Sequence, residues 1–397
     1  MSVYLLFTIK RYLEQLIMSP FVILGHIIGL FRKSGNYDIY FFIPIYGVGG
    51  AEYVNAKILD ALNEKKKIKL IFTKKSYQTT ALHLFQHPNV HIEDISKYAD
   101  NKFLFFMNLM FRGIMATEIL KQAKKPIVFV GQCNFGYKLT PHLYRKCKVI
   151  DIIHGFDQKF TRVWMPFTPF LEVRMGIAYN VIKRINQFQK EIGIPEKYHH
   201  FEKLTLYVNI PEDIKKISRA DHLLKVYYAG RNSSEKRVYL MYEIARKALK
   251  KNLPVQFNFV GDFSGGLPED HNTFGNFPGL IPAGNQMYDF IRENDIVLLT
   301  SDREGLPIML LEAMQLGIVP ITTPTGDIPV YINNANGYIL DGATETEIVD
   351  QAVAALEELS HHKEIYSQKS HNAQKSYLEH FSKEQFEQVL LRLFSGE

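Results

Sequence analysis

Cysteine is scarce: Cys133 and Cys147 are the only two in 397 residues. They cannot build a disulfide framework, and a reducing compartment is the expectation. Low-complexity tracts and internal repeats are absent. With 46% hydrophobic and 22% charged residues, the composition excludes a disordered chain. Long apolar runs are also missing. Near the start, "VYLLFTI" (3–9) and "FVILGHIIGLF" (21–31) are broken up by Glu14, Gln15, Pro20 and His26. A spanning helix wants roughly 18 apolar residues in a row, so none is expected here. Lys10-Arg11 and Arg32-Lys33 follow the apolar runs rather than precede them, unlike a secretory signal. Residues 1–36 read either as an amphipathic segment on a membrane surface or as a helix packed on its domain. A dinucleotide fingerprint is lacking too, because "YGVGGAE" (46–52) has Glu52 where the third glycine would stand. No His/Asp cluster suggests a metal site, and no nucleic-acid module is recognisable.

What is present begins with uneven charge. Residues 1–200 hold 28 Lys+Arg against 14 Asp+Glu, and residues 201–397 hold 19 against 27. A basic first half suits an anionic partner, of which a membrane surface is one candidate, or is simply a solvated face. The length argues for two domains. From residue 38 short apolar runs alternate with helical periodicity: "DIYFFIPI", "IKLIFT", "PIVFVG" and "KVIDIIHG", then from 224 "LKVYYAG", "VQFNFVGD", "DIVLLTS" and "GIVPITTP". That βαβ rhythm predicts α/β architecture: two doubly wound, Rossmann-like parallel-sheet domains facing a cleft. The expected division is 1–36 as an apolar segment, 37–210 as a first domain, 211–378 as a second and 379–397 as a terminal helix.

Four stretches could carry chemistry. Strand "DIVLLTS" leads through "DREGLP" into the helix "IMLLEAMQLG", so a helix N-terminus lies beyond a strand's carboxyl end. Its amides, at Leu306, Ile308 and Met309 after Gly305, suit an anion. Glu304 sits at the mouth, and Glu312 further along the helix could accept bonds from a sugar diol. In "AGRNSSEKR" (229–237), Arg231 and Lys236 could clamp a diphosphate or merely cap a helix. In "YGVGGAE", Gly49 and Gly50 open a helix and could approach a phosphate, or form a packing turn. In "DIIHGFD" (151–157), His154 ends a strand, where catalytic and structural roles are both open.

These stretches, in this order, resemble the GT-B retaining glycosyltransferases of family four, the group 1 sugar transferases. "SDREGLPIMLLEAMQLGIVPI" (301–321) is similar to that family's S-x-x-E-G-x-P-x-x-x-x-E-A-M-x-x-G-x-P-V, and "TGDIPVYINNANGYIL" (325–340) to its G-G-x-P-E-x-I stretch. The resemblance covers about residues 40–394 and departs at Val330, where the family carries a glutamate. It implies an enzyme that moves a sugar, with retention and without metal or cofactor, from a nucleotide-sugar to a glycan or lipid-linked acceptor. Cell-surface polysaccharide synthesis is the implied setting, at the cytoplasmic side and peripheral to the membrane. UDP is implied over GDP. Arg231, Lys236 and the amides after Gly305 would bind the diphosphate and Glu312 the ribose. Glu304 would lie near the transferred sugar, Gly49 and Gly50 would approach the phosphates when the domains close, and His154 would lie by sugar and acceptor. The C-terminal helix would cross back onto the first domain. The competing expectation is a non-catalytic sugar-nucleotide-binding or scaffold protein on a degenerate transferase fold.

Overall fold

Runs of β-branched and aromatic residues, apolar on both sides, form strands buried on both faces, as parallel sheets under helices require. The computed structural model describes residues 2–47, 49–76, 79–101, 103–217, 223–263, 266–282 and 284–395. The chain divides into two units, residues 1–204 with 386–397, and residues 205–385.

The first unit holds strands β1 (Ile39–Ile43), β2 (Ile68–Phe72), β3 (Val90–Asp94), β4 (Ile127–Phe129), β5 (Lys148–Ile153), β6 (Val173–Gly176) and β7 (Glu202–Lys203). They lie in the order β3-β2-β1-β4-β5-β6-β7, every pair parallel. The helix Lys383–Leu393 buries Phe386, Leu390 and Leu393, and its end belongs to this unit. The Phe394 ring lies 6.0 Å from that of Phe129, and Lys148 Nζ donates to the Ser395 carbonyl at 3.2 Å. The expected return of the terminal helix is therefore seen.

Residues Val3–Phe31 form one helix of 29 residues, not two interrupted runs. By length and composition alone it could cross a membrane. Pro20 does not break it. Proline lacks the N–H that would bond the Leu16 carbonyl, and the Ser19 hydroxyl donates to that carbonyl instead, at 2.8 Å. The helix packs along the helix Phe105–Leu120 through small residues. A Cβ on Gly25 would stand 2.0 Å from the Met110 carbonyl oxygen, and one on Gly113 2.1 Å from that of Val22. Lys121 Nζ closes its end on the carbonyls of Gly29 and Leu30, at 3.1 and 2.6 Å. Arg32 then pairs with Glu93 at 2.5 Å.

The second unit holds β8 (Leu224–Ala229), β9 (Val255–Val260), β10 (Asn276–Gly279), β11 (Ile296–Leu299), β12 (Val319–Thr322) and β13 (Tyr338–Ile339), ordered β10-β9-β8-β11-β12-β13 and parallel throughout. In both sheets the chain runs outward from a central strand and then restarts on its other side. That reversal leaves a crevice at the strands' carboxyl ends, where open α/β sheets hold ligands.

Candidate active site

In the second unit the reversal falls between β8 and β11, and both strands end in loops singled out by sequence. After β8 the chain crosses Gly261, where a Cβ would lie 2.0 Å from the Gly230 carbonyl oxygen. The Tyr228 hydroxyl donates to the Arg231 carbonyl at 2.8 Å, which fixes the loop while the Arg231 side chain stays 79% exposed. Its guanidinium lies 3.8 Å from Glu235. A 3-10 turn at Ser234–Lys236 follows, then Arg237 at φ 47°, a left-handed conformation that costs a non-glycine residue roughly 1–3 kcal/mol. The strain is held by bonds to the neighbouring strand end. Arg237 Nε donates to the Thr300 carbonyl at 2.7 Å, and the Thr300 hydroxyl donates back to the Arg237 carbonyl at 2.9 Å.

This latch brings Lys236 onto Glu304, with Nζ 2.6 Å from Oε1. The Ser301 hydroxyl donates to the same oxygen at 2.6 Å. The two side chains are 19% and 9% exposed. A carboxylate so desolvated needs its cation close, since an unpaired charge there is expensive.

Pro307 is the N-cap of the helix Ile308–Gln315, and no side chain among the described residues caps it. The first N–H groups of such a helix have no acceptor within it. Behind the loop, Gly326 has φ +60°, and a Cβ there would stand 2.1 Å from the Gly305 carbonyl oxygen. Asp327 N–H donates to that carbonyl at 2.8 Å. The loop is thus braced by backbone from 326–327. Leu306 and Met309 are buried, and the Met309 sulfur accepts the Ala229 N–H at 2.9 Å. Glu312 is half-buried one turn on. Burial, with the Glu312 charge added, holds the Tyr227 phenol well above its ordinary value.

In the first unit the reversal falls between β1 and β4. Gly49, extended at φ −159°, is the N-cap of the helix Gly50–Asn63, and among the described residues nothing lies within 4 Å of where a Cβ on Gly50 would stand. After β4, Gln132 is left-handed at φ 47°, and its side-chain oxygen accepts the His154 N–H at 3.3 Å. His154 follows β5. Both of its ring nitrogens are buried without a hydrogen-bond partner among the described residues. Burial pulls its pKa down to about 4, so the imidazole is neutral at pH 7. Buried polar atoms are rarely left unpaired, which makes this histidine stand out.

The structure therefore gathers Lys236, Glu304 and the start of the Ile308–Gln315 helix at one switch point, with Arg231 exposed beside it. His154, Gly49 and Gly50 lie at strand ends of the other unit. Ser301, Arg237, Gly326 and Gln132 were not anticipated. Ser301 stands in the glutamate motif itself, and the glycine of "TGD" was the signal for Gly326. Arg237 and Gln132 carried none, since their backbone conformation is imposed by distant partners.

Residues 209–376 match the family described as "Glycosyl transferases group 1". Among curated proteins, the N-acetyl-alpha-D-glucosaminyl L-malate synthase of Bacillus anthracis is 24% identical over 202 residues, 50% of this chain and 46% of that protein. The Vi polysaccharide biosynthesis protein VipC/TviE of Salmonella typhi is 28% identical over 132 residues, 32% of this chain and 22% of that one. The chain matches about half or less of the length of these relatives. Among solved structures, Anabaena Alr3699/HepE with UDP and glucose superimposes with a TM-score of 0.67 at 14% identity, covering 91% of this chain and all of that one (100%). TarM gives 0.66 at 11% identity, covering 90% and 98%. The galactosyltransferase WaaB of the lipopolysaccharide outer core gives 0.65 at 15%, covering 90% and 99%. The shared fold is GT-B, two Rossmann-like parallel-sheet domains.

Proposed function

We propose that this chain, whose residues 209–376 match the group 1 glycosyltransferase family, transfers a sugar from a nucleotide-sugar to a glycan or lipid-linked acceptor in cell-surface polysaccharide synthesis, with retention and without a metal. The observation that carries the reading is the Lys236–Glu304 pair at the switch point, beside an uncapped helix start. Departure of a nucleoside diphosphate builds negative charge on its terminal phosphate. Arg231, Lys236 and the amides after Gly305, at Leu306, Ile308 and Met309, are the groups assigned to meet it. Lys236 can share its ammonium between Glu304 and a phosphate oxygen, and Glu304 then lies next to the sugar being released. Glu312 is assigned the ribose hydroxyls.

In the first unit, His154, Gly49 and Gly50 are assigned to the acceptor side. A neutral buried imidazole with two uncommitted nitrogens can donate to, or accept from, a sugar hydroxyl. UDP is favoured over GDP, supported by the UDP and UDP-glucose complexes of Anabaena HepE. The basic first half and the outward apolar face of the Val3–Phe31 helix favour action at the cytoplasmic face of a membrane.

One observation favours the non-catalytic alternative. Val330, at the family's glutamate position, is 56% exposed and offers no charge. Product formation separates the two. Incubation with UDP-, GDP- and ADP-sugars, with and without EDTA, should give hydrolysis or transfer from one UDP-sugar unaffected by chelation. Binding without turnover on any acceptor would favour the scaffold.

A further inference from the structure

A cavity of about 170 Å³ lies in the first unit beneath the Val3–Phe31 helix, and its lining includes none of the strand-end residues above. Its titratable lining is Arg11, Glu14, His26, Arg112, Lys138 and His142, with Gln15 and Ser19 as neutral polar groups. Three permanent cations and two imidazoles thus face one carboxylate.

None of the three cations is matched by a carboxylate within ion-pair distance among the described residues. Arg11 is 5% exposed. Its Nη1 donates to the Pro166 carbonyl at 3.0 Å, and its Nε is buried with no acceptor. Arg112 is 9% exposed and spends two donors on one neutral oxygen, Asn108 Oδ1, at 3.0 and 2.7 Å. Burial pulls its pKa down to about 10 against the pull of Glu14. Burial, and then the Arg112 charge, lowers Lys138 as well. The rings of His26 and His142 stand 5.7 Å apart, and burial brings His142 down to about 4. Both are neutral donors or acceptors at pH 7. Glu14 is itself 42% exposed and 3.8 Å from Lys10 Nζ, so its charge is divided. Desolvated cations in this excess are unfavourable unless an anion joins them.

The rim says where that anion comes from. Ile23 lines the cavity and is also 56% exposed. From there the helix presents Leu16 and Ile17, each 73% exposed, and Phe21 at 44%. Phe21 lies 6.3 Å from Phe106 of the neighbouring helix, and Phe103, three positions earlier in the chain, is 97% exposed. A contiguous apolar face of this kind marks an interaction surface. The helix cannot leave to span a bilayer without breaking its close packing on Gly113, the Lys121 cap and the Arg32–Glu93 pair. Held so, it lies along a surface with its free face outward.

We propose that this cavity binds the headgroup phosphate of a membrane lipid, while the outward face of the Val3–Phe31 helix enters the acyl layer beside it. The inference rests on the surface-bound reading of that helix and adds a specific headgroup site to it. Arg112 and Lys138 contact the phosphate oxygens, Arg11 Nε supplies a further donor, and the apolar rim takes the chains.

Flotation of the full chain on phosphatidylcholine vesicles, with and without phosphatidic acid, tests it. The variants are Arg112→Gln/Lys138→Gln and, as an equal-charge control, Lys124→Gln/Lys125→Gln at exposed positions. Expected are tighter binding to vesicles with phosphatidic acid, at least a tenfold loss of that gain in the cavity variant, and less than a threefold loss in the control. Equal losses in both variants would reduce the effect to surface charge and overturn the site. No loss in either, or no binding by the wild type, would overturn it as well. So would saturable thermal stabilisation by inorganic phosphate without vesicle binding, which would identify a free anion as the ligand. Stabilisation by a nucleotide-sugar, read on the same proteins, reports the second unit. Its persistence in the cavity variant keeps the donor reading separate from the lipid one, and wild-type hydrogen-exchange protection across the first sheet, residues 39–176, shows that the variant's first unit folds.

Discussion

Lys236 Nζ lies 2.6 Å from Glu304 Oε1, although 68 positions separate the two residues. Each ends a loop from a neighbouring strand of the second sheet, and each is largely desolvated. Breaking one side of such a pair strands a charge, so the single and double substitutions should behave differently. Lys236→Met should lower stability by about 2–4 kcal/mol, and Lys236→Met/Glu304→Gln should regain most of it. Transfer should stay lost in both. Chemical denaturation of the four proteins in the cycle measures the coupling, and additive effects would show that the pair is not coupled.

Gly326 is the brace behind the same loop. With φ +60° and a carbonyl oxygen 2.1 Å from where a Cβ would stand, Gly326→Ala has no strain-free conformation. It should cost at least about 1–2 kcal/mol by the backbone term alone and weaken nucleotide binding by shifting Glu304 and Gly305. Calorimetric binding of UDP, measured beside the melting temperature, checks both.

His154 gives a pH signature. Its pKa is about 4 in the folded chain, below the ordinary value of about 6.5. The unfolded chain therefore binds more protons between those values, and stability must fall as pH drops through that window, by up to about 1.4 kcal/mol per pH unit for this proton. His142, also about 4, acts in the same direction. Asp151, pushed up to about 7 by burial, acts oppositely, because its folded form holds the extra proton. His154→Phe should flatten the profile from pH 4 to 6.5 relative to wild type and abolish transfer. A difference curve with no slope in that window would contradict the neutral buried imidazole.

Much of this was legible in the sequence, and the gaps have a pattern. The strands read from apolar runs were the central ones, β1, β2, β4 and β5 in one sheet and β8, β9, β11 and β12 in the other. Those passed over, β3, β7, β10 and β13, are the edges, together with β6 beside an edge. Edge strands are half-covered, so "VHIED" and "NFPG" carry little hydrophobic signal. For the N-terminal segment the sequence left two readings open, a surface segment and a packed helix, because neither the Ser19 hydroxyl that bridges Pro20 nor the packing partner at Gly113 is legible in it. At the candidate site, residue types and spacing pointed to Glu304, Glu312, Arg231 and Lys236. The contact between Lys236 and Glu304 was not legible, because it depends on Arg237 adopting a left-handed turn against Thr300.

The N-terminal helix offers its own test. Gly113→Val places side-chain atoms where the Val22 carbonyl and the His26 amide now lie, with Cβ itself 2.1 and 2.6 Å from them. The helix should lift from its partner. Hydrogen exchange should rise across residues 3–31, with the second unit unaffected. Unchanged protection there would contradict the packing described.

The most direct measurement is thermal stability of the full chain against UDP-, GDP- and ADP-sugars, wild type beside Glu312→Ala. A shift of several degrees is expected with UDP and one UDP-sugar, and its loss in the variant. Absence of any nucleotide-dependent shift in the wild type, or an equal shift in Glu312→Ala, would contradict the donor site assigned to the β8–β11 switch point.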